Sequence, residues 1–220
     1  AQKDDRGIQQ EKRDVTRQVY RLLSDYTGRK LAWGMLTGVR PIKLAMQRLE
    51  QAGNGGVSDS EKMGEVVSWL EKEYFVSREK AVLAARVAHR EKELLSRLDC
   101  RDGFSLYVGI PFCPSVCSYC SFSSSPLEQW KGRVDSYLDA LVKEIRALSE
   151  MAKGRRLDTV YIGGGTPTTL EPEQLRRLLA CISSEFNLEG ALEFTVEAGR
   201  PDSITEEKLA ALREYPVSRI

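Results

Sequence analysis

With 220 residues, 41% of them hydrophobic, the chain has enough apolar material for one large domain or two modest ones. Lys and Arg number 33 against 32 Asp and Glu, interspersed rather than blocked, so charge gives no footprint for nucleic acid or an anionic membrane. No apolar run approaches the roughly 18 residues of a membrane span. The charged start AQKDDRGIQQEKRD also lacks the apolar middle of a secretory signal, so a soluble, cytoplasmic protein is expected.

Residues 1–102 read as helices. Val15, Val19, Leu22, Leu23 and Tyr26 share a helical face, and Gly28 stands where a C-cap belongs. WGMLTGVRPIK (33–43) reads as a shaped loop, with Pro41 opening a helix whose inner face carries Ile42, Met46 and Leu49. Trp33, Met35 and Leu36 suit packing against the second domain, whereas Arg40 and Lys43 have the chemistry to meet carboxylates. Gly53-Asn54-Gly55-Gly56 is a break. Ser58 with Glu61 predicts a capping box before Met63, Val66, Val67, Leu70 and Tyr74. An Ala-, Glu- and Arg-rich helix follows from about Ser77 to Leu98.

From 103 to 220 the period changes. LYVGI (106–110), TVYIGG (159–164) and LEFTVEA (192–198) read as strands. Between them lie two helical stripes: Val134, Leu138, Leu141, Ile145 and Leu148, then Leu175, Leu178, Leu179, Ile182 and Phe186 behind Pro172. Thr205 suits an N-cap before Leu209 and Leu212, and Ser218-Arg219-Ile220 would begin a fourth strand. Alternation of this kind implies an α/β fold of right-handed βαβ units on a parallel sheet. Three such units do not close a barrel, so an incomplete (βα) barrel and a truncated chain are expected.

Five cysteines, an odd count with three inside residues 113–120, point to metal rather than disulfides. Cys113, Cys117 and Cys120 (GIPFCPSVCSYCSF) follow the first strand of the βα series, where such folds place active sites. Three thiolates can hold three irons of a [4Fe–4S] cube and leave the fourth open to a substrate. The alternative is zinc, with Cys100, Cys181 or His89 as fourth ligand. His89 lies among charged residues and suits a solvated side chain; Cys100 and Cys181 suit part-buried thiols. Gly163-Gly164-Gly165-Thr166-Pro167 ends the second strand, as a simple turn or as a close approach to a ligand. No Gly-Lys-Ser/Thr follows, so it is no P-loop. Glu197 closes the third strand, a position from which a carboxylate can accept bonds from an amine or ribose hydroxyl.

The triad, with YVGIPFC before it and IGGGTPT after it, resembles the radical S-adenosylmethionine (SAM) superfamily. More narrowly it resembles the coproporphyrinogen III oxidase-like family, from about Leu106 to the end. The resemblance implies a [4Fe–4S] cluster on Cys113, Cys117 and Cys120, with SAM on its open iron. It implies that Gly164, Gly165 and Thr166 bind the methionine end of SAM and that Glu197 contacts it. Tyr107, six residues before Cys113, would lie near SAM at the cluster, and Tyr119 would flank the adenine or a second SAM; each tyrosine also suits simple packing. No side chain is singled out as catalytic.

In the family, a 5′-deoxyadenosyl radical removes hydrogen from a propionate of coproporphyrinogen III. Loss of carbon dioxide and an electron leaves a vinyl group, and two such events give protoporphyrinogen IX. A porphyrinogen substrate and a low-potential electron donor are therefore the implied partners. Ser121-Phe122, WGMLTGVRPIKLA and FTVEAGRPD look most like the Z-type dehydrogenase branch, whereas the N-type oxidase has Gly and Cys after the third cysteine. Two other readings stand beside it: a haem chaperone that binds SAM and a cluster, and a zinc-stabilised interaction module.

Overall fold

The computed structural model describes residues 2–36, 40–51, 58–99, 101–122 and 124–220, with side chains from Gln10 onward. Cys100, Gly38 and the Gly53–Gly56 break lie outside them. The chain forms two compact units, Ala1–Ser96 and Arg97–Ile220.

The first unit comprises α1 (Gln2–Thr27), α2 (Pro41–Gln51), α3 (Asp59–Tyr74) and α4 (Arg78–Leu95). Ala81, Ala84, Ala85 and Ala88 make a small-residue face on α4 that is fully buried, which lets α2 and α3 approach closely with Ala45, Leu49, Val66 and Leu70. The expected capping box is present. Ser58 Oγ accepts from Glu61 N at 3.3 Å, and Glu61 Oε2 accepts from Ser58 N at 2.9 Å. The Ser58 hydroxyl also donates to Glu61 Oε2 at 2.7 Å, and this bond first, then that from Ser58 N, holds the Glu61 carboxyl below its usual range. Ser58→Ala should lower unfolding free energy by about 1 kcal/mol, the usual cost of losing a cap, read as a lower urea midpoint at unchanged slope.

The α1 stripe exists as a helical face, but Val15, Val19, Leu22, Leu23 and Tyr26 are all exposed. What anchors α1 is its neighbouring face: Arg17 pairs with Glu73 at 2.7 Å and Tyr20 stacks on Phe75 with centroids 5.3 Å apart. Phe75 itself caps α3 at φ 55, in the left-handed region, with its N–H donating to Leu70 O. Trp33, Met35 and Leu36 pack on the core of their own helical unit.

The second unit runs β1 (Gly103–Ile110), β2 (Phe112–Cys113), β3 (Ser125–Pro126), α5 (Leu127–Trp130), α6 (Val134–Met151), β4 (Arg156–Gly164), α7 (Pro172–Glu185), β5 (Glu193–Val196) and α8 (Glu206–Arg213). β1, β4 and β5 form a parallel sheet in that order, and a parallel bridge from Thr195 to Arg219 continues it at the expected fourth position. Period-two alternation sorts the strands. Leu106, Val108, Ile110, Val160, Ile162, Phe194 and Val196 are buried on one face, in one core with Leu138 and Ile145 of α6 and Leu175, Leu178, Leu179 and Ile182 of α7. Each fully buried Leu or Ile contributes about 1.5–3 kcal/mol, so this face dominates the unit's stability. Leu148 and Leu209, expected to join the stripes, sit at their margins and are exposed.

The opposite face carries Ser105, Tyr107 and Gly109 on β1 beside Thr159, Tyr161 and Gly163 on β4, in register. Polar and aromatic groups cover it: Thr159 Oγ1 donates to Ser105 Oγ at 2.8 Å, and the Tyr107 and Tyr161 rings stack 6.0 Å apart. Among the described residues, no helix is long and apolar enough to cross a membrane.

Candidate functional site

Strand ends bring the site together. Register aligns Ile110 of β1 with Gly164 of β4, so the cysteine loop and the glycine turn leave the sheet side by side. They are zipped by backbone bonds from Gly165 N to Ile110 O at 2.7 Å and from Thr166 N to Phe112 O at 2.8 Å. Gly164 has φ 110, which an L side chain rarely adopts, and this reversal turns the chain back onto the cysteine strand. Buried Thr169 closes the turn through Thr166 O at 2.7 Å, so the turn is rigid rather than a solvated loop.

Cys113 ends β2, and Cys117 and Cys120 share a turn closed by Cys120 N donating to Cys117 O at 3.0 Å. All three thiols are partly exposed. Hydrogen-bond donors face two of the sulfurs: Thr166 Oγ1 stands 3.5 Å from Cys113 Sγ, and Arg200 Nη1 stands 3.5 Å from Cys117 Sγ. Among the described residues, no three His, Cys, Asp or Glu side chains are drawn into one metal-holding group. The three thiols share one loop.

The other candidate ligands stand elsewhere. His89, on α4, faces Glu93 at 3.6 Å, and Cys181, on α7, is buried in the core of the βα unit. Burial pushes the Cys181 thiol above its ordinary range, which suits an inert packing thiol.

Glu197 leaves β5 with its N–H donating to Ile162 O at 2.9 Å. Its carboxylate accepts from the Tyr161 hydroxyl, and that bond holds the Tyr161 pKa above its ordinary value. Tyr161 was not singled out in the sequence. Its partnership with Glu197 depends on β4–β5 register, and the only local hint is its place two residues before Gly163. Tyr107 is 61% exposed and Tyr119 88% exposed, so core packing does not account for either ring. Tyr107 stacks on Tyr161 beside the carboxylate; Tyr119 stands on the cysteine loop.

Arg200 is the second residue that sequence reasoning missed. Its guanidinium reaches across 85 positions to the cysteine loop, donating to Ser115 O at 3.3 Å and Ser115 Oγ at 3.2 Å. Nothing in FTVEAGRPD signals that reach.

The family described as the Radical SAM superfamily matches residues 107–220. The oxygen-independent coproporphyrinogen-III oxidase-like protein HemZ of Bacillus subtilis (strain 168) is 37% identical over 218 residues, covering 97% of this chain and 42% of that protein. The heme chaperone HemW of the same strain is 41% identical over 119 residues, covering 53% of this chain and 30% of that protein. The solved structure of coproporphyrinogen III oxidase (HemN) from Escherichia coli, described as a radical SAM enzyme, is 33% identical, with a TM-score of 0.47, and covers 58% of this chain and 30% of that one. The chain thus spans less than half the length of each of these relatives. The family match takes in more than half of the chain, and the chain belongs to the radical SAM superfamily, whose members are characterised by a [4Fe–4S] cluster and SAM.

Proposed function

We propose that this chain carries the cluster and SAM site of an oxygen-independent coproporphyrinogen III dehydrogenase, which converts coproporphyrinogen III to protoporphyrinogen IX. The observation that carries this reading is the extent of the HemZ similarity. It runs through both the helical and the βα unit, whereas the HemW similarity covers 53% of the chain.

The residues present suit the cofactors. Three thiols on one loop, two of them already facing hydrogen-bond donors, match a cluster held by three thiolates. A Cβ at Gly165 would stand 2.9 Å from Cys113 Sγ, so the glycine turn can lie against the sulfur edge only without a side chain. In this reading Cys113, Cys117 and Cys120 hold three irons. Gly164, Gly165 and Thr166 present backbone to the methionine end of SAM. Glu197, oriented by Tyr161, accepts hydrogen bonds from its amine or ribose. Tyr107 and Tyr119 supply the exposed aromatic surface beside it, Tyr119 toward the adenine. When bound, these cofactors supply a low-potential electron and the 5′-deoxyadenosyl radical that takes hydrogen from a substrate propionate. The protein's part is to orient the reacting groups.

A carboxylate that accepts hydrogen bonds from SAM is worth about 1.5–3 kcal/mol. Glu197→Gln should therefore weaken SAM binding by about tenfold or more while iron content stays unchanged, read by equilibrium binding to the reconstituted protein.

The 41% identity to HemW favours a second reading, a haem chaperone that uses the same site. Anaerobic assay with coproporphyrinogen III, SAM and dithionite separates the two. Substrate-dependent SAM cleavage with porphyrinogen decarboxylation supports the dehydrogenase. Tight haem binding without porphyrinogen turnover overturns it in favour of the chaperone.

A further inference from the structure

Arg200 is a fixed charge at the cysteine loop to which the reading above gives no part. Its side chain is 26% exposed and every nitrogen has a partner. Nε donates to Asp202 Oδ1 at 3.2 Å, Nη2 to Asp202 Oδ2 at 2.7 Å and to Ser115 Oγ at 3.2 Å, and Nη1 to Ser115 O at 3.3 Å with Cys117 Sγ at 3.5 Å. The backbone behind it is equally restrained. Arg200 O accepts from Ser203 N at 3.0 Å and from Ser203 Oγ at 2.7 Å. Buried Lys208 donates to Ser203 O at 3.2 Å and to Thr168 O at 2.8 Å, tying this segment to the glycine turn. A long side chain held so firmly gives up most of its rotamer freedom. A purely structural bridge between two loops would need only the Ser115 bonds, not a donor at the sulfur.

We propose that Arg200 donates an N–H···S hydrogen bond to the Cys117 thiolate and raises the potential at which the iron–sulfur cluster accepts its electron. This rests on the reading of Cys117 as a cluster ligand. One electron passes from an external one-electron reductant to the cluster, and no bond forms or breaks. The added negative charge lies partly on the ligand sulfurs, so a donor and a cation beside one of them stabilise the reduced form more than the oxidised form. Asp202 offsets part of the charge, but it is 55% exposed and solvent-screened. A guanidinium suits the position because it stays charged and its fork serves sulfur, serine and carboxylate together.

An EPR-monitored redox titration of the anaerobically reconstituted chain tests this, with Arg200→Gln against Arg219→Gln. Arg219 is an exposed arginine of the same unit that pairs with Glu193 at 3.0 Å instead of facing a cysteine. At the potential that half-reduces the parent, Arg200→Gln should show an about tenfold lower ratio of reduced to oxidised cluster, a shift of about 59 mV for a one-electron couple. Arg219→Gln should leave the ratio unchanged. A ratio in Arg200→Gln within about twofold of the parent, or an equal shift in Arg219→Gln, overturns the proposal. Pulsed EPR on the parent chain labelled with ¹⁵N-arginine gives an answer that needs no variant. A ¹⁵N coupling to the reduced cluster is expected, and its absence overturns the hydrogen bond. A parent chain that takes up no iron would instead remove the underlying assignment of Cys117.

Discussion

Replacing Cys113, Cys117 or Cys120 with Ala, one at a time, should abolish both the brown iron–sulfur chromophore and SAM cleavage. The effect is expected to be complete rather than graded. Three protein thiolates are the minimum that leaves a single iron for SAM, and loss of one opens a second iron to solvent. Cys181→Ala is the matched control. Its thiol is buried among Leu178, Leu179 and Ile182 on α7, with a pKa raised by that burial, and its loss should leave cluster content unchanged. Iron and sulfide analysis after anaerobic reconstitution reads both. A triad variant that retains full cluster content would show that the loop is not the ligand set.

Gly165→Ala should be the most damaging change that removes no ligand. Its Cβ would meet Phe112 O at 2.7 Å, Pro111 C at 2.9 Å and Cys113 Sγ at 2.9 Å. Two of these neighbours are backbone, and one of them, Phe112 O, is already bonded to the turn, so relief requires the glycine turn and β2 to part. Overpacking of this kind costs about 1–3 kcal/mol, and here it also displaces the Cys113 sulfur. Reduced cluster occupancy together with a lower unfolding midpoint is expected. Gly163→Ala separates crowding at the cysteine from crowding elsewhere. Its Cβ would meet the Tyr161 ring edge at 2.7 Å and Glu197 Oε2 at 3.0 Å, both side-chain ends that can move. That variant should keep its iron. Equal iron loss in the two would place the sensitivity in the turn as a whole.

The sequence made legible what depends on local pattern. Ser58 and Glu61 announce their capping box, Pro172 opens α7 as expected, and the Leu175–Ile182 stripe is buried because strict helical spacing leaves it one face to bury. Cysteine spacing is likewise local, and with its position after a strand it located the loop. What was not legible depends on partners. The α1 stripe has the periodicity of a buried face, yet Tyr26 is 89% exposed, because periodicity reports amphipathicity and not what covers it. Leu148 and Leu209 fall on the right face of their helices but at the margin of the core. Tyr161 meets Glu197 only through β4–β5 register, and Arg200 meets Cys117 only through the turn that Ser203 and Lys208 hold. Contacts made across 36 and 83 positions of sequence have no local signature.

In the proposed site, Cys113, Cys117 and Cys120 hold a cluster with one iron left for SAM. Metal analysis with EPR of the anaerobically reconstituted, reduced chain, recorded with and without SAM, tests it most directly. About four iron atoms per chain and a cluster signal that changes on adding SAM are expected, as an open iron requires. Stoichiometric zinc without iron, or a cluster signal indifferent to SAM, would contradict it.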